Sequence, residues 1–461
     1  MSAVKRSARL SHQLHASTEC RPSGRSGTAH RVMSHRIAFQ LTGAVWAAVA
    51  FGQTPAPPST NPDAPVPVIS PTGSGLVAGN PASPLPNPDL GSSAAFPAQR
   101  GFIRAEPFFI YPYLGVGIGY NDNLTGVPDD RIRSGFVVVS PRVRVDAKTG
   151  GDTYALTFDG NFGKYFSSSA NDFTEAALVA RSSNQFTARA DLEASAFYIV
   201  NQDPGGSVDR PFTGTPDRWH GGGVFATFGY GAPSAQGRLE LDAGGTDKRY
   251  VNNREFTQAF DVSTWHAGAR FFYRVAPKTR LLAEVRYTAY DYQTSPLDSS
   301  EQRYLLGATW DFTALTSGTV KVGYITKKFK QEGIDGYAGP TGEVALRWQP
   351  RTYSTVDVVG LYAPADSTGT GVFTIDTSIG ARWEHYWKSF FMTRVYATYV
   401  NSDLEGASRT DHIGRVGIGA YFDIRSWLRI GADYSYDNRN SNVPGFDFSR
   451  NVIQLTIAGT L

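Results

Sequence analysis

His266-Ala-Gly-Ala-Arg-Phe-Phe-Tyr-Arg-Val-Ala-Pro-Lys-Thr-Arg-Leu-Leu-Ala-Glu-Val-Arg-Tyr-Thr-Ala-Tyr290 sets out the plan of the whole chain. From His266 onward the side chains alternate, Ala267, Ala269, Phe271 and Tyr273 against His266, Gly268, Arg270 and Arg274. After Ala276-Pro277-Lys278 the alternation resumes as Leu281, Ala283, Val285, Tyr287 and Ala289 against Arg280, Glu284, Arg286 and Thr288. Phe272 and Leu282 are the exceptions on the polar side. A period of two belongs to a strand with one apolar and one polar face, and two such strands joined by a short Pro-Lys turn make an antiparallel hairpin. The apolar stripe is long for a soluble strand, and the charges opposite it could sit in a packed core only if partnered. Lipid on one side and a wet lumen on the other explain both faces.

Composition agrees with many strands and turns. The chain of 461 residues holds 48 Gly, 23 Tyr and 28 Phe but only three Met, a balance that favours strands over helices. Mean hydropathy is −0.28, which is compatible with a membrane barrel because only every second residue meets lipid. No apolar run reaches 18 residues, so the sequence contains no helical membrane span.

The first 52 residues contain seven of the 44 Lys/Arg and one of the 41 Asp/Glu, leaving 37 basic and 40 acidic residues downstream. The remainder is about −3, and binding of nucleic acid loses its electrostatic basis. Cys20, the single cysteine, lies in the same leader, so the rest of the chain has no disulfide and is compatible with an envelope location.

Met33-Ser-His-Arg36, followed by the apolar stretch from Ile37 to Phe51, reads as a secretory signal peptide over 33–52, with 1–32 as an upstream extension or misplaced start. Residues 53–105 are rich in Pro, Ala, Ser and Gly, and bury too little apolar surface to offset the entropy of ordering. They are expected to form a disordered periplasmic segment. From 106 to 461 about eighteen alternating segments follow one another, which predicts an all-β, antiparallel transmembrane barrel.

Connectors alternate too. Short ones are expected at Thr149-Gly150-Gly151, Ser182-Ser183-Asn184, Pro277-Lys278, Gln349-Pro350-Arg351, Trp387-Lys388 and Arg425-Ser426. Long polar ones are expected over 201–218, 247–257, 327–338, 401–411 and 438–449. Short periplasmic turns and long outer loops are the asymmetry of a Gram-negative outer-membrane barrel, and place both barrel ends in the periplasm. Trp310, Trp348, Trp383, Trp387 and Trp427 fall beside the short turns, whereas Tyr290, Tyr324, Tyr362, Tyr399 and Tyr436 fall near the long loops, as two interfacial belts require. In the last strand Ile453, Leu455, Ile457, Gly459 and Leu461 alternate to the terminus, similar to the signal read by the outer-membrane assembly machinery but ending in Leu rather than Phe or Trp.

The polar faces collect basic residues, among them Arg144, Arg189, Arg270, Arg274, Arg280, Arg286, Arg303, Arg382 and Arg394, and a nearly equal set of acids including Glu284. They read either as cross-strand ion pairs stiffening a wet wall or as a constriction that orients a polar solute. Arg270, Arg274, Arg280 and Arg286 are the best candidates for contact with an anionic sugar polymer. Enzyme signatures are missing: His220, His266, His385 and His412 lack metal-site spacing, so neither a catalytic nor a cofactor site is expected. Asn121-Asp122-Asn123 could hold a cation or form a turn.

The first strand, Leu114-Gly-Val-Gly-Ile-Gly-Tyr-Asn-Asp-Asn-Leu124, resembles the opening strand of the beta-barrel porin type 2 family. That resemblance spans 107–461 as architecture and implies an export or diffusion barrel, in some relatives associated with exopolysaccharide genes, without catalytic residues. The expected function is a conduit for an exopolysaccharide, with a periplasmic polysaccharide-export protein as partner. The alternatives are a general or sugar-specific uptake porin, which a narrow constriction with stacked aromatics would favour, and a non-conducting structural or adhesive barrel. Outer-membrane lipid, lipopolysaccharide and the assembly machinery are the remaining expected partners.

Overall fold

The computed structural model describes residues 102–460 apart from 233 and 314. The expected leader, signal peptide and most of the Pro-rich segment lie outside the described residues. A three-residue strand, β1 (Ile103–Ala105), precedes the wall. The first half of the wall is β2 (Phe108–Asn121), β3 (Ser134–Thr149), β4 (Asp152–Tyr165), β5 (Phe173–Thr187), β6 (Ala190–Asp203), β7 (Asp217–Tyr230), β8 (Gly237–Tyr250), β9 (Val262–Ala276) and β10 (Thr279–Tyr292). The second half is β11 (Ser299–Thr313), β12 (Thr316–Phe329), β13 (Tyr337–Arg351), β14 (Ser354–Asp366), β15 (Phe373–Lys388), β16 (Phe391–Glu405), β17 (Arg409–Arg425), β18 (Leu428–Ser441) and β19 (Phe448–Thr460).

Every wall strand pairs antiparallel with its sequence neighbour, and β19 returns to β2 from Val452↔Asn121 through Thr460↔Tyr113, closing a barrel of eighteen strands. Closure leaves the wall no unpaired edge, the condition for β-structure in lipid. β1 adds to β2 at Ile103↔Ile110, so pairing begins three residues before the expected barrel start at 106.

Burial is inverted relative to a soluble sheet. Outward residues such as Val285 and Leu306 are 47% and 67% exposed, whereas inward Glu284 and Arg286 are 4% and 7% exposed. Strands of 13 to 17 residues, tilted by about 40°, span roughly 33–43 Å and overshoot an apolar band about 25 Å tall. Their ends therefore stand in the headgroup layers and beyond.

That overshoot accounts for the connectors that sequence misplaced. Ser182, Ser183 and Asn184 lie within β5, and the turn is at Ala188-Arg189. Turn-forming residues are tolerated in extended chain there because the partner strands still satisfy the backbone, as in Ser183↔Glu193. Likewise 401–411 contracts to a three-residue turn, Gly406-Ala407-Ser408, because its polar residues pair across strands: Thr410 Oγ1 donates to Asp403 Oδ1 at 2.8 Å. The turns expected at Gln349–Arg351, Trp387-Lys388 and Arg425-Ser426 shift to 352–353, 389–390 and 426–427.

Trp348, Trp387 and Trp427 are outward at the short-turn end, and Tyr324 is outward at the long-loop end. Tyr290 departs from its expected belt position: it points inward, 4% exposed, with Lys327 Nζ 3.9 Å from its ring centroid.

Candidate functional site

The inner wall carries a ladder of alternating charge. Arg238 on β8 donates to Asp191 Oδ1 at 2.7 Å and Glu240 Oε1 at 2.9 Å. Arg270 on β9 stands 3.4 Å from Glu240 and 3.6 Å from Asp242, while His266 Nε2 lies 3.4 Å from Asp242. Arg286 on β10 meets Glu284 at 3.0 Å, and Lys321 on β12 bridges Glu284 and Glu343 at 2.8 and 3.2 Å. Arg303 on β11 lies 2.6 Å from Glu301 and 3.4 Å from Glu343. Register sets Arg270 between Glu240 and Glu284 and Lys321 opposite Glu343, while Arg238, Arg286 and Arg303 also pair with the acid two residues away on their own strand. A second run joins Arg347, Asp357, Arg382, Glu384 and Arg394 across β13–β16. Such pairs hold one another's direction, and they add less stability than their number suggests because each charge has lost water.

An aromatic sector interrupts the polar lining. Phe197 and Ile199 on β6, Trp219 on β7 and Tyr250 on β8 form an inward apolar cluster against Phe225. Phe197 stacks on Phe225 with centroids 5.9 Å apart and planes at 3°, and Phe225 stacks on His266 at 5.4 Å. Lys248 Nζ lies 4.4 Å from the Trp219 ring and 4.6 Å from that of Tyr250.

The connector from Pro204 to Pro216, between β6 and β7, turns inward. Around the wall, six strands separate the β6–β7 hairpin from the β14–β15 hairpin in one direction and eight in the other. Yet Asp209 from the first accepts hydrogen bonds from Thr368 N at 3.0 Å and Ser367 Oγ at 3.3 Å in the second. Six residues of chain reach at most about 20 Å, so the two loops meet because both lean over the lumen. Arg439 Nη1 donates to Gly206 O and Val208 O, each at 3.1 Å. Arg409 Nη1 donates to Asp209 O at 3.1 Å, and Arg450 Nη1 to Gly205 O at 3.4 Å. Asp209 is fully buried; burial pushes its carboxyl above the usual aspartate value, against the pull of Arg439. The segment is a strap across the long-loop mouth.

Glycine is required at two strap positions. A Cβ on Gly205 would lie 2.1 Å from Thr125 O, and Gly206 combines φ +78° with a would-be Cβ 2.6 Å from the Phe448 ring.

Residues 99–460 match the family described as Putative beta-barrel porin 2. The chain belongs to that family. It is an outer-membrane β-barrel with the architecture of a porin-like channel. The outer membrane protein opdK from Pseudomonas aeruginosa is similar in structure, with a TM-score of 0.46 and 11% identity over 78% of this chain and 100% of that one. The FrpB iron transporter from Neisseria meningitidis gives 0.40 and 9% over 76% and 82%. A bacterial polysaccharide outer membrane secretin gives 0.33 and 10% over 76% and 98%. No curated protein matches the sequence.

In this porin the sequence-selected residues occupy different surroundings. Arg270, Glu284, Arg286 and Arg303 are buried within the ladder, and Arg382 and Arg394 belong to the second run. Arg274 and Arg280 face each other in register beside the Pro277-Lys278 turn, half-buried. The four-arginine sector therefore divides: two members are matched by carboxylates and two sit at the short-turn end. Arg189 lies in a turn rather than on the wall. The first-strand polar run is consumed by local bonds: Asn123 N donates to Asn121 Oδ1 at 2.9 Å, Asn123 Nδ2 reaches Val127 O and Ser449 O, and Asp122 accepts from Asn451. His412 pairs with Tyr399, and His385 packs among Tyr353, Trp383 and Trp387, both apart from His266.

Sequence reasoning missed the strap and the aromatic sector. The sector had a signal, since Phe197 and Ile199 fall in phase with Asp191 and Glu193 and so place apolar groups on the polar face. The strap had a weaker one: Gly205-Gly206 followed by an apolar Val208 inside a connector.

Proposed function

We propose that this porin is a diffusion channel for small polar solutes, sugars among them, with its short turns and both barrel ends in the periplasm and its strap at the outer mouth. The strap tied to Thr368, Arg409, Arg439 and Arg450 carries the reading, because it narrows the one opening through which a long polymer would have to leave. The stacked Phe197, Phe225 and His266 set an aromatic sector into the inner wall beside the charge ladder, the kind of lining expected of a sugar-handling channel. Export of an exopolysaccharide, with a periplasmic export protein as partner, requires the strap to swing out. The outward apolar band would meet outer-membrane lipid and lipopolysaccharide, and the alternating final strand would engage the assembly machinery.

Osmotic swelling of liposomes containing the refolded protein tests this reading. Rapid swelling in monosaccharides and slow swelling in oligosaccharides is expected. Equal entry of long oligosaccharides would favour the polymer conduit, and no swelling in any sugar would favour a surface scaffold. A protease site inserted at Gly214 should be cut on intact cells if the strap end faces outward.

A further inference from the structure

We propose that Arg409, Arg439 and Arg450 form an anion site at the strap end of the lumen, that the strap fills this site with its own oxygens, and that a carboxylate-bearing sugar competes with it. The proposal deepens the channel reading and rests on it.

Four of the five strap residues from Gly205 to Asp209 supply the acceptors. Gly205 O, Gly206 O, Val208 O and Asp209 O each take a guanidinium N–H, and Asp209 Oδ1 lies 3.4 Å from Arg439 Nη2. Four carbonyls and a carboxylate aimed at three arginines form no regular secondary structure. They are arranged as the oxygens of a bound acidic ligand would be, and guanidinium donors favour carboxylates over neutral acceptors.

Charge supports this. Where the strap docks, the wall presents Arg409, Arg415, Arg439 and Arg450, and Asp411 and Asp437 are the wall carboxylates that pair with them. Asp209 is the third carboxylate and comes from the strap; Asp376 on β15 is buried and accepts a hydrogen bond from Ser402 Oγ at 2.7 Å. The ladder lower in the wall leans the other way, with five basic groups, Arg238, Arg270, Arg286, Arg303 and Lys321, against the six acids Asp191, Glu240, Asp242, Glu284, Glu301 and Glu343. Beneath the strap the four arginines thus exceed the wall acids Asp376, Asp411 and Asp437 by one, and Asp209 of the strap makes up the difference.

The surroundings suit a sugar acid better than a bare ion. The Arg409 guanidinium lies 3.4 Å from the centroid of Phe446, and that of Arg450 lies 5.4 Å from Phe448, so apolar ring faces border the charged groups. Ser367 Oγ and Thr368 Oγ1, both against Asp209, are hydroxyls available to a polyol once the strap has left. The same carboxylated sugar could arrive as a monomer or as part of a polymer.

Two readouts test the proposal. Val208 is 5% exposed in the seated strap, so thiol labelling of Val208→Cys, in a Cys20→Ser background, reports release without requiring conduction. Galacturonate should speed labelling at least threefold, while galactose and chloride at matched ionic strength should not. In planar bilayers Asp209→Ala should lower the galacturonate concentration that modulates current by about tenfold, because a competing carboxylate is gone, and Arg439→Gln should abolish the response although it too loosens the strap. Polygalacturonate in parallel separates a polymer from a monomer ligand. Equal effects of galacturonate and galactose on labelling, or a full galacturonate response in Arg439→Gln, would overturn the anion site. Absence of current with galacturonate-specific labelling would instead remove the channel reading and leave the site standing. If Asp209→Ala fails to refold, the labelling comparison decides.

Discussion

Replacing Gly206 by valine should open the strap end of the barrel while leaving the wall intact. Gly206 has φ +78°, and a Cβ there would stand 2.6 Å from the Phe448 ring. A left-handed conformation costs a non-glycine residue roughly 1–2 kcal/mol, more for a β-branched one, and forcing atoms into a filled space adds about 1–3 kcal/mol. Together they oppose seating by about 2–5 kcal/mol, which shifts the seated-to-released ratio roughly 30-fold to several thousand-fold at about 1.4 kcal/mol per decade. Phe448 is on β19, but Gly206 belongs to no strand, so the β19–β2 closure is not asked to change. Single-channel recording should then show a higher mean conductance with fewer closures than the parent, and Val208→Cys should label faster in the Gly206→Val background. Barrel folding is checked by heat-dependent electrophoretic mobility. Unchanged conductance and unchanged labelling in a correctly folded Gly206→Val protein would refute the claim that the strap narrows the mouth.

Glu284→Ala should destabilise the barrel by about 3–5 kcal/mol in urea titration, since it leaves the buried Arg286 and Lys321 with a shared partner missing; a loss under 1 kcal/mol would show water reaching the ladder freely. Leu306→Arg, on the outward face of β11, should cost about 2–4 kcal/mol if it lies near the bilayer centre, measured as the unfolding free energy in lipid vesicles. For Asp298, in the connector between β10 and β11, burial is the largest single influence and raises the carboxyl, but Lys330 and the Tyr292 backbone N–H together outweigh it and hold the group below the usual aspartate value. Its contribution is thus present above the unfolded value of about 3.9 and lost as pH falls through the depressed one. Because Lys330 is well exposed, Asp298→Asn should flatten only a small part of the acid limb of an unfolding-midpoint profile.

Alternation of the 266–290 kind determined the class of fold, because lipid and lumen impose a two-residue period on every strand and no other environment rewards it for so long. Strand number and hairpin order followed from counting those segments. Individual turns were less legible, since Ser183 and Asn184 look like turn residues but lie where strands have passed beyond the apolar band. The charged inner face could also be assigned from sequence, but not who pairs with whom. By sequence Arg270 and Arg286 are among the best candidates for contact with an anionic polymer, yet Glu240 and Asp242 come beside them only after the register of β8, β9 and β10 is set, and Glu284 comes opposite Arg270 in the same way.

What the sequence by itself determined is therefore the closed antiparallel barrel, its two faces and its unequal ends, all properties of local period and composition. Tertiary structure alone decided the strap, its anchorage and the surplus of arginine beneath it. Asp209 and Thr368 are 159 positions apart and Gly206 and Arg439 are 233 apart; such contacts have no period to read. They depend on closure bringing β17, β18 and β19 around to β2, and on two loops leaning into the same opening. Long-range pairing of that kind becomes visible only when the wall has been closed.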